Sequence, residues 1–195
     1  MIGIQVFFLV GPSGAGKSLV ARWLEKLDFL HLDVDQHHGF KANGLRHEWH
    51  EFSSRSDARP LVEALVQRAV TAGKSGVFLS LPSTRILSRK QVELAQQCGI
   101  KTVLLWGSTE WCQSARRSRD EGEGRQFDRR RYNRSNANAF RVYGAAEFDD
   151  VRISVFDSDG ARRSRQEIMA EIDDSLANLT NTLQPTAPGA IRSRG

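Results

Sequence analysis

Apolar residues in this chain gather in short dense runs, and most runs are followed by a stretch of helical period. Residues 4–10 form a short run that is apolar apart from Gln5, the pattern of a strand buried on both faces. Leu19, Val20, Trp23, Leu24 and Leu27 then recur at helical spacing. Leu30, Leu32 and Val34 predict a second strand, with Asp33 and Asp35 at its carboxyl end. Residues 36–60 have no clean period. A short helix over 46–52 is predicted there, and the segment reads as a substrate-binding excursion over the sheet. Pro60 opens an amphipathic helix carrying Leu61, Val62, Leu65, Val66, Ala69 and Val70. A third strand is expected at 77–81, a helix at 88–98 stopped by Gly99, and a fourth strand at 102–106. Ser108 or Thr109 can cap the next helix, which carries Trp111, Cys112 and Ala115. A helix over 136–147, a fifth strand over 151–156 and a last helix over 164–179 complete the pattern.

Five strands alternating with helices predict an α/β fold of three layers, a parallel sheet covered on both faces. Residues 1–179 read as one domain without internal repeats, and 180–195, rich in proline, glycine and small residues, as a flexible tail.

Composition narrows this picture a little. With 195 residues, 39% hydrophobic and 26% charged, the chain is an ordinary globular one. Its formal net charge of +5 favours anionic ligands without naming one. Cys98 and Cys112 lie too far apart for a C-x-x-C site, which argues against a disulfide framework or a zinc site. The start lacks a basic leader region, and no apolar stretch approaches the roughly 20 residues of a membrane span. A cytoplasmic location with no membrane partner is therefore expected.

The chemistry begins at Gly11-Pro12-Ser13-Gly14-Ala15-Gly16-Lys17-Ser18, the phosphate-loop pattern G-x-x-x-x-G-K-[ST] set between a strand and a helix. Its glycines let backbone amides turn inward into an anion-binding nest, and the helix adds the positive end of its dipole. Gly11, Ser13, Gly14, Ala15, Gly16, Lys17, Ser18 and Leu19 are the predicted nucleotide contacts. Lys17 would place an ammonium on the outer phosphates and Ser18 a hydroxyl on Mg2+. Asp33 and Asp35, two apart on a strand, point to one side. One of the pair could hold Mg2+ through water and the other orient an attacking hydroxyl. The third strand ends without a carboxylate, so the metal-facing acid must come from elsewhere, and this pair is the obvious supply; Asp33 joins Ser18 in the expected metal set.

Residues 116–134 are crowded with arginine and read as a basic lid. Phosphoryl transfer needs positive charge on the migrating group and exclusion of water. Of Arg116, Arg117, Arg119 and Arg125, Arg117 is the first choice for a catalytic contact and Arg125 the second for a phosphate contact. His37 and His38 read as substrate contacts or solvated side chains rather than zinc ligands. Arg46, Arg55, Arg59 and Arg85 are candidates for an anionic acceptor.

On G-P-S-G-A-G-K-S at 11–18, L-D-V-D at 32–35 and the basic segment after the fourth strand, the chain resembles the small-molecule kinase branch of the phosphate-loop fold. That branch includes shikimate, gluconate and adenylylsulfate kinases. The resemblance implies a sheet order of 2-3-1-4-5, ATP with Mg2+ as phosphoryl donor and a hydroxyl as acceptor. It places Asp35 at that hydroxyl and the turn 157–162, with Asp157, near the adenine. Shikimate kinase carries a glycine triplet after the third strand, where this chain has Leu81-Pro82-Ser83-Thr84, and the His-rich segment 36–50 fits neither shikimate nor gluconate kinase. The reading is an ATP-dependent kinase for a small, anionic, hydroxylated metabolite. The alternatives are a nucleic-acid or nucleoside kinase or binding module using the arginine-rich segment, and a regulatory nucleotide hydrolase.

Overall fold

The computed structural model describes residues 4–34, 39–54 and 57–173. Five parallel strands form one sheet in the order β2-β3-β1-β4-β5. They are β1 (Gln5–Val10), β2 (Phe29–Asp33), β3 (Gly76–Ser80), β4 (Ile100–Trp106) and β5 (Arg152–Ser154). Parallel neighbours require crossovers, and helices supply them: α1 (Lys17–Glu25), α2 (Gly39–Ala42), α3 (Arg46–Ser53), α4 (Arg59–Thr71), α5 (Arg89–Gln97), α6 (Thr109–Gly122) and α7 (Arg129–Tyr143). A last helix, α8 (Arg165–Ile172), follows β5.

The central strand shows why the sheet is covered twice. Val6, Phe8 and Val10 face one core, with Phe52, Leu61, Leu65, Val92 and Tyr143. Phe7 and Leu9 face the other, with Val20, Leu24, Cys112, Ile168 and Met169. Period-2 alternation thus divides one apolar run between two layers. Each such side chain, fully buried, contributes about 1.5–3 kcal/mol.

Three boundaries differ from expectation. The helix expected at 136–147 is α7, which begins at Arg129 and ends at Tyr143. Its buried face is Tyr132, Asn136, Ala139 and Tyr143, and its start is capped by Asp128, whose carboxylate accepts from the Arg131 amide at 3.0 Å. Together with α6 it makes most of 116–134 helical, leaving 123–128 as the connector. The fifth strand is shorter than expected because it is an edge, laddered only to Leu104–Trp106. The last helix is described to Ile172 only; the rest of the expected helix, and the tail, lie outside the described residues.

α7 carries Arg129, Arg130, Arg131, Arg134 and Arg141, all exposed, and no acidic residue. Among the described residues, no helix is long and apolar enough to cross a membrane.

Candidate functional site

The chain leaves β1 at the centre of the sheet and enters α1 through the phosphate loop. Gly16 occupies the N-cap of α1 with φ +87°, and no side chain caps that helix. Gly14 has φ +91°, and a Cβ there would drive into the backbone carbonyl of Cys112. A Cβ on Gly16 would meet the guanidinium of Arg162. Only glycine fits at 14, and at 16 a side chain would have to displace the Arg162 guanidinium. Lys17 Nζ donates to the carbonyls of Gly11 at 2.7 Å and Pro12 at 3.1 Å, drawing the loop into a ring.

The cavity over this loop, about 240 Å3, is lined by Ser13, Gly14, Gly16, Lys17, Ser18 and Leu19. Arg22, Arg116, Arg119 and Arg162 bring four guanidinium groups to its rim. Arg162 Nη2 donates to the Gly14 carbonyl at 3.3 Å, and its guanidinium lies 4.9 Å over the Phe156 ring. Burial there pushes its pKa down. No carboxylate lines this cavity among the described residues.

Arg22 was not among the sequence candidates, and Arg162 entered only as the end of the turn 157–162 that the resemblance places near the adenine. Arg22 lies four positions after Ser18, one helical turn away, so helix spacing alone could have found it. Arg162 has no local signal. It is delivered by the turn after β5, where the Asp157 carboxylate accepts from the amides of Asp159 and Ala161, both at 2.9 Å. Asp157 is spent on shaping that turn, and it does not line the cradle.

Next to the cradle is a cavity of about 350 Å3, reached past the same Lys17, Ser18, Arg22 and Arg119. Here Ser18 and Asp33 come to one space, with Glu25, His31, Ser80 and Glu123. Ser80 and Asp33 are register partners on β3 and β2, and the Ser80 hydroxyl lies 3.5 Å from the Asp33 carboxylate. His31 spans Glu25 at 2.9 Å and the Ser80 hydroxyl at 2.8 Å, stacked on Phe78 with ring centres 4.4 Å apart. A serine thus stands at the end of β3, hydrogen-bonded into a short polar chain that the strand pattern gave no reason to expect. Ser18 and Asp33 are oxygen donors, the chemistry that Mg2+ takes. Among the described residues no cluster of three metal-ligating His, Cys, Asp or Glu side chains occurs.

A third cavity, about 810 Å3, opens beyond the carboxyl ends of β2 and β3. Its walls are Phe40 and Trp49, stacked at 4.2 Å, and its polar lining includes Lys41, Arg46, His47, His50 and Arg85. Arg85 lies 4.8 Å over the Phe40 ring. No acid lines it among the described residues. The Arg59 guanidinium is turned to the Asp57 carboxylate at 2.7 Å. Asp35, His37, His38 and Arg55 lie outside the described residues.

The lid arginines divide. Arg117 sits 5.4 Å over the Phe127 ring, away from the cradle lining. Arg125 pairs with Asp120 at 3.0 Å and with Glu123. Arg116 holds Asp120 at 2.8 Å and also donates to Ser13 Oγ at 3.2 Å, so it faces the loop. Arg119 lines both the cradle and the cavity of Asp33. Arg116 and Arg119, not the preferred Arg117 and Arg125, line the cavity over the loop.

The family described as the AAA domain matches residues 6–142, from β1 to α7. The chain belongs to the AAA domain family. In this AAA domain that match takes in the phosphate loop, Asp33, the large cavity, α6 and nearly all of α7, and leaves Arg162 beyond its end. Among solved structures the chain is similar to shikimate kinase from Acinetobacter baumannii in complex with shikimate, at 19% identity and a TM-score of 0.44, over 94% of this chain and 97% of that one. A protein from Thermus thermophilus gives 16% identity and 0.47, over 94% and 100%. Shikimate kinase from Bacteroides thetaiotaomicron gives 20% and 0.42, over 92% and 98%. No curated protein matches the chain by sequence.

Proposed function

We propose that this AAA-domain chain is an ATP-dependent phosphotransferase that moves the γ-phosphate to a hydroxyl of a small anionic metabolite. The observation that carries the reading is the shared lining of two adjoining cavities. Lys17, Ser18 and Arg119 face both the glycine cradle and the space of Asp33. A triphosphate in the cradle would then present its end group towards an acid.

Each residue has a role in this reading. The open start of α1 and the glycine amides bind the phosphates. Lys17 turns from the loop carbonyls to the outer phosphate oxygens. Arg119, with Arg116 and Arg162, neutralises charge on the migrating group. Ser18 and Asp33 would hold Mg2+, which when bound supplies charge neutralisation between the phosphates. Asp35, two residues after the end of β2 in sequence, is assigned to the acceptor hydroxyl as its base or orienter. The basic, aromatic-walled cavity of Lys41, Arg46 and Arg85 receives the acceptor, and the cations of its described lining are what support an anion there. Arg117 and Arg125, expected at the phosphates, do not line the cradle, and this reading gives their role to Arg116 and Arg119, which do.

The test is calorimetry with Mg-ATP followed by an ADP-release screen of phosphorylated and carboxylated polyols. Asp35→Asn should keep Mg-ATP binding while transfer falls by about a hundredfold or more, the range of general-base catalysis. A wild-type chain that takes up no Mg-ATP defeats the reading, and a fully active Asp35→Asn defeats the role of Asp35.

A further inference from the structure

The third residue of the loop motif is gripped from outside the cradle. The Ser13 amide donates to Asn136 Oδ1 at 2.7 Å. The Ser13 carbonyl accepts from the Tyr132 hydroxyl at 2.9 Å. Both partners are buried and lie one turn apart on the inner face of α7. Asn136 Nδ2 donates to the Tyr132 carbonyl at 2.9 Å, which leaves Oδ1 as the atom offered to Ser13. A buried asparagine is costly unless its hydrogen bonds are made, and here one of them goes to the loop.

The consequence follows from the planarity of the peptide bond. In a trans peptide the C=O and the N–H of one unit point in opposite directions. Tyr132 draws the Ser13 carbonyl outward, so the Gly14 amide of the same unit is aimed away from α7. Asn136 draws the Ser13 amide outward, so the Pro12 carbonyl is aimed the other way, where it accepts from Lys17 at 3.1 Å and from the Ala15 amide at 3.3 Å. Gly14, with φ +91°, gives the loop the freedom to turn that peptide over. Two side chains of α7 hold it in one of its two orientations.

We infer that Tyr132 and Asn136 are positioning residues for phosphate binding, a latch by which α7 fixes the orientation of two loop peptides through Ser13. This rests on the proposed nucleotide site and adds to it a link between the lid helices and the cradle. A shift of α7 along its own axis moves the latch and with it the amide nest.

The experiment is calorimetry of Mg-ATP and of inorganic pyrophosphate on wild type, Tyr132→Phe, Asn136→Ala and the double variant, with Lys17→Ala as the reference for a disabled site. Tyr132→Phe keeps the buried ring and removes one oxygen, so it tests the latch without a cavity. Each single variant should weaken both ligands by about three- to tenfold, the effect of one lost hydrogen bond. The double variant should weaken them by less than the product, because both act through one residue. A merely structural role predicts lower melting temperatures with unchanged affinities below the transition, and that result overturns the latch, as does simple multiplication of the two effects. If wild type binds Mg-ATP and the variants match it, the latch alone falls. If wild type binds neither ligand, the nucleotide site falls and the latch with it.

Discussion

Two helices of this protein, one on each face of the sheet, begin their backbones in opposite ways. α1 and α5 each follow a strand and carry the chain back across the sheet. At α5 the first amides are closed by a reciprocal pair: Ser88 accepts from the Gln91 amide, and the Gln91 side chain accepts from the Ser88 amide at 2.9 Å. At α1 the cap is Gly16, which has no side chain to offer, and the first turn has no acid. The orphan amides that every helix start exposes are thus satisfied internally in one case and left for a ligand in the other. A helix beginning is a stability feature or a binding feature according to what sits at its N-cap.

Breaking α1 should have the largest effect. Gly14→Ala sets a Cβ against the Cys112 carbonyl, a backbone atom that cannot swing aside. It should abolish Mg-ATP binding in calorimetry and lower stability by about 1–3 kcal/mol in urea unfolding. Gly16→Ala is milder. The left-handed backbone costs about 1–2 kcal/mol, but the group it meets is the movable end of Arg162, so binding should weaken by about tenfold and survive. Ser88→Ala sharpens the contrast from the other side. It should cost about 1 kcal/mol of stability and leave Mg-ATP affinity where it was. An unchanged stability in Ser88→Ala, or a lost affinity, would dissolve the distinction between the two starts.

Much of the fold was legible because apolar period and turn residues agree with each other. The five strands, their alternation with helices and the Gly99 stop of α5 all follow from local signals. The start of α7 did not. Its buried face includes Asn136 between Tyr132 and Ala139, and a search for apolar period passes over an asparagine. The run Arg129-Arg130-Arg131 also looked like lid, although Asp128 before it is a regular cap. The site divides in the same way. The loop motif and Asp33 could be read because each is carried by a short stretch of sequence at the end of a predicted strand. The contact of Arg162 with the loop and the Ser13 latch could not, because each joins positions more than 100 residues apart, and no local pattern records such a meeting. Arg117 and Arg125 were chosen by composition, and only side-chain direction separates them from Arg116 and Arg119.

The arginines of α7 have one more consequence. Without that helix, basic and acidic residues are equal in number along the chain, so the whole formal surplus of +5 rides on one element. That helix therefore adds a cationic flank to the cationic rims of the cradle and of the large cavity. An approaching polyphosphate is drawn to such a surface, and its encounter rate should fall as salt rises even where the final grip is unchanged.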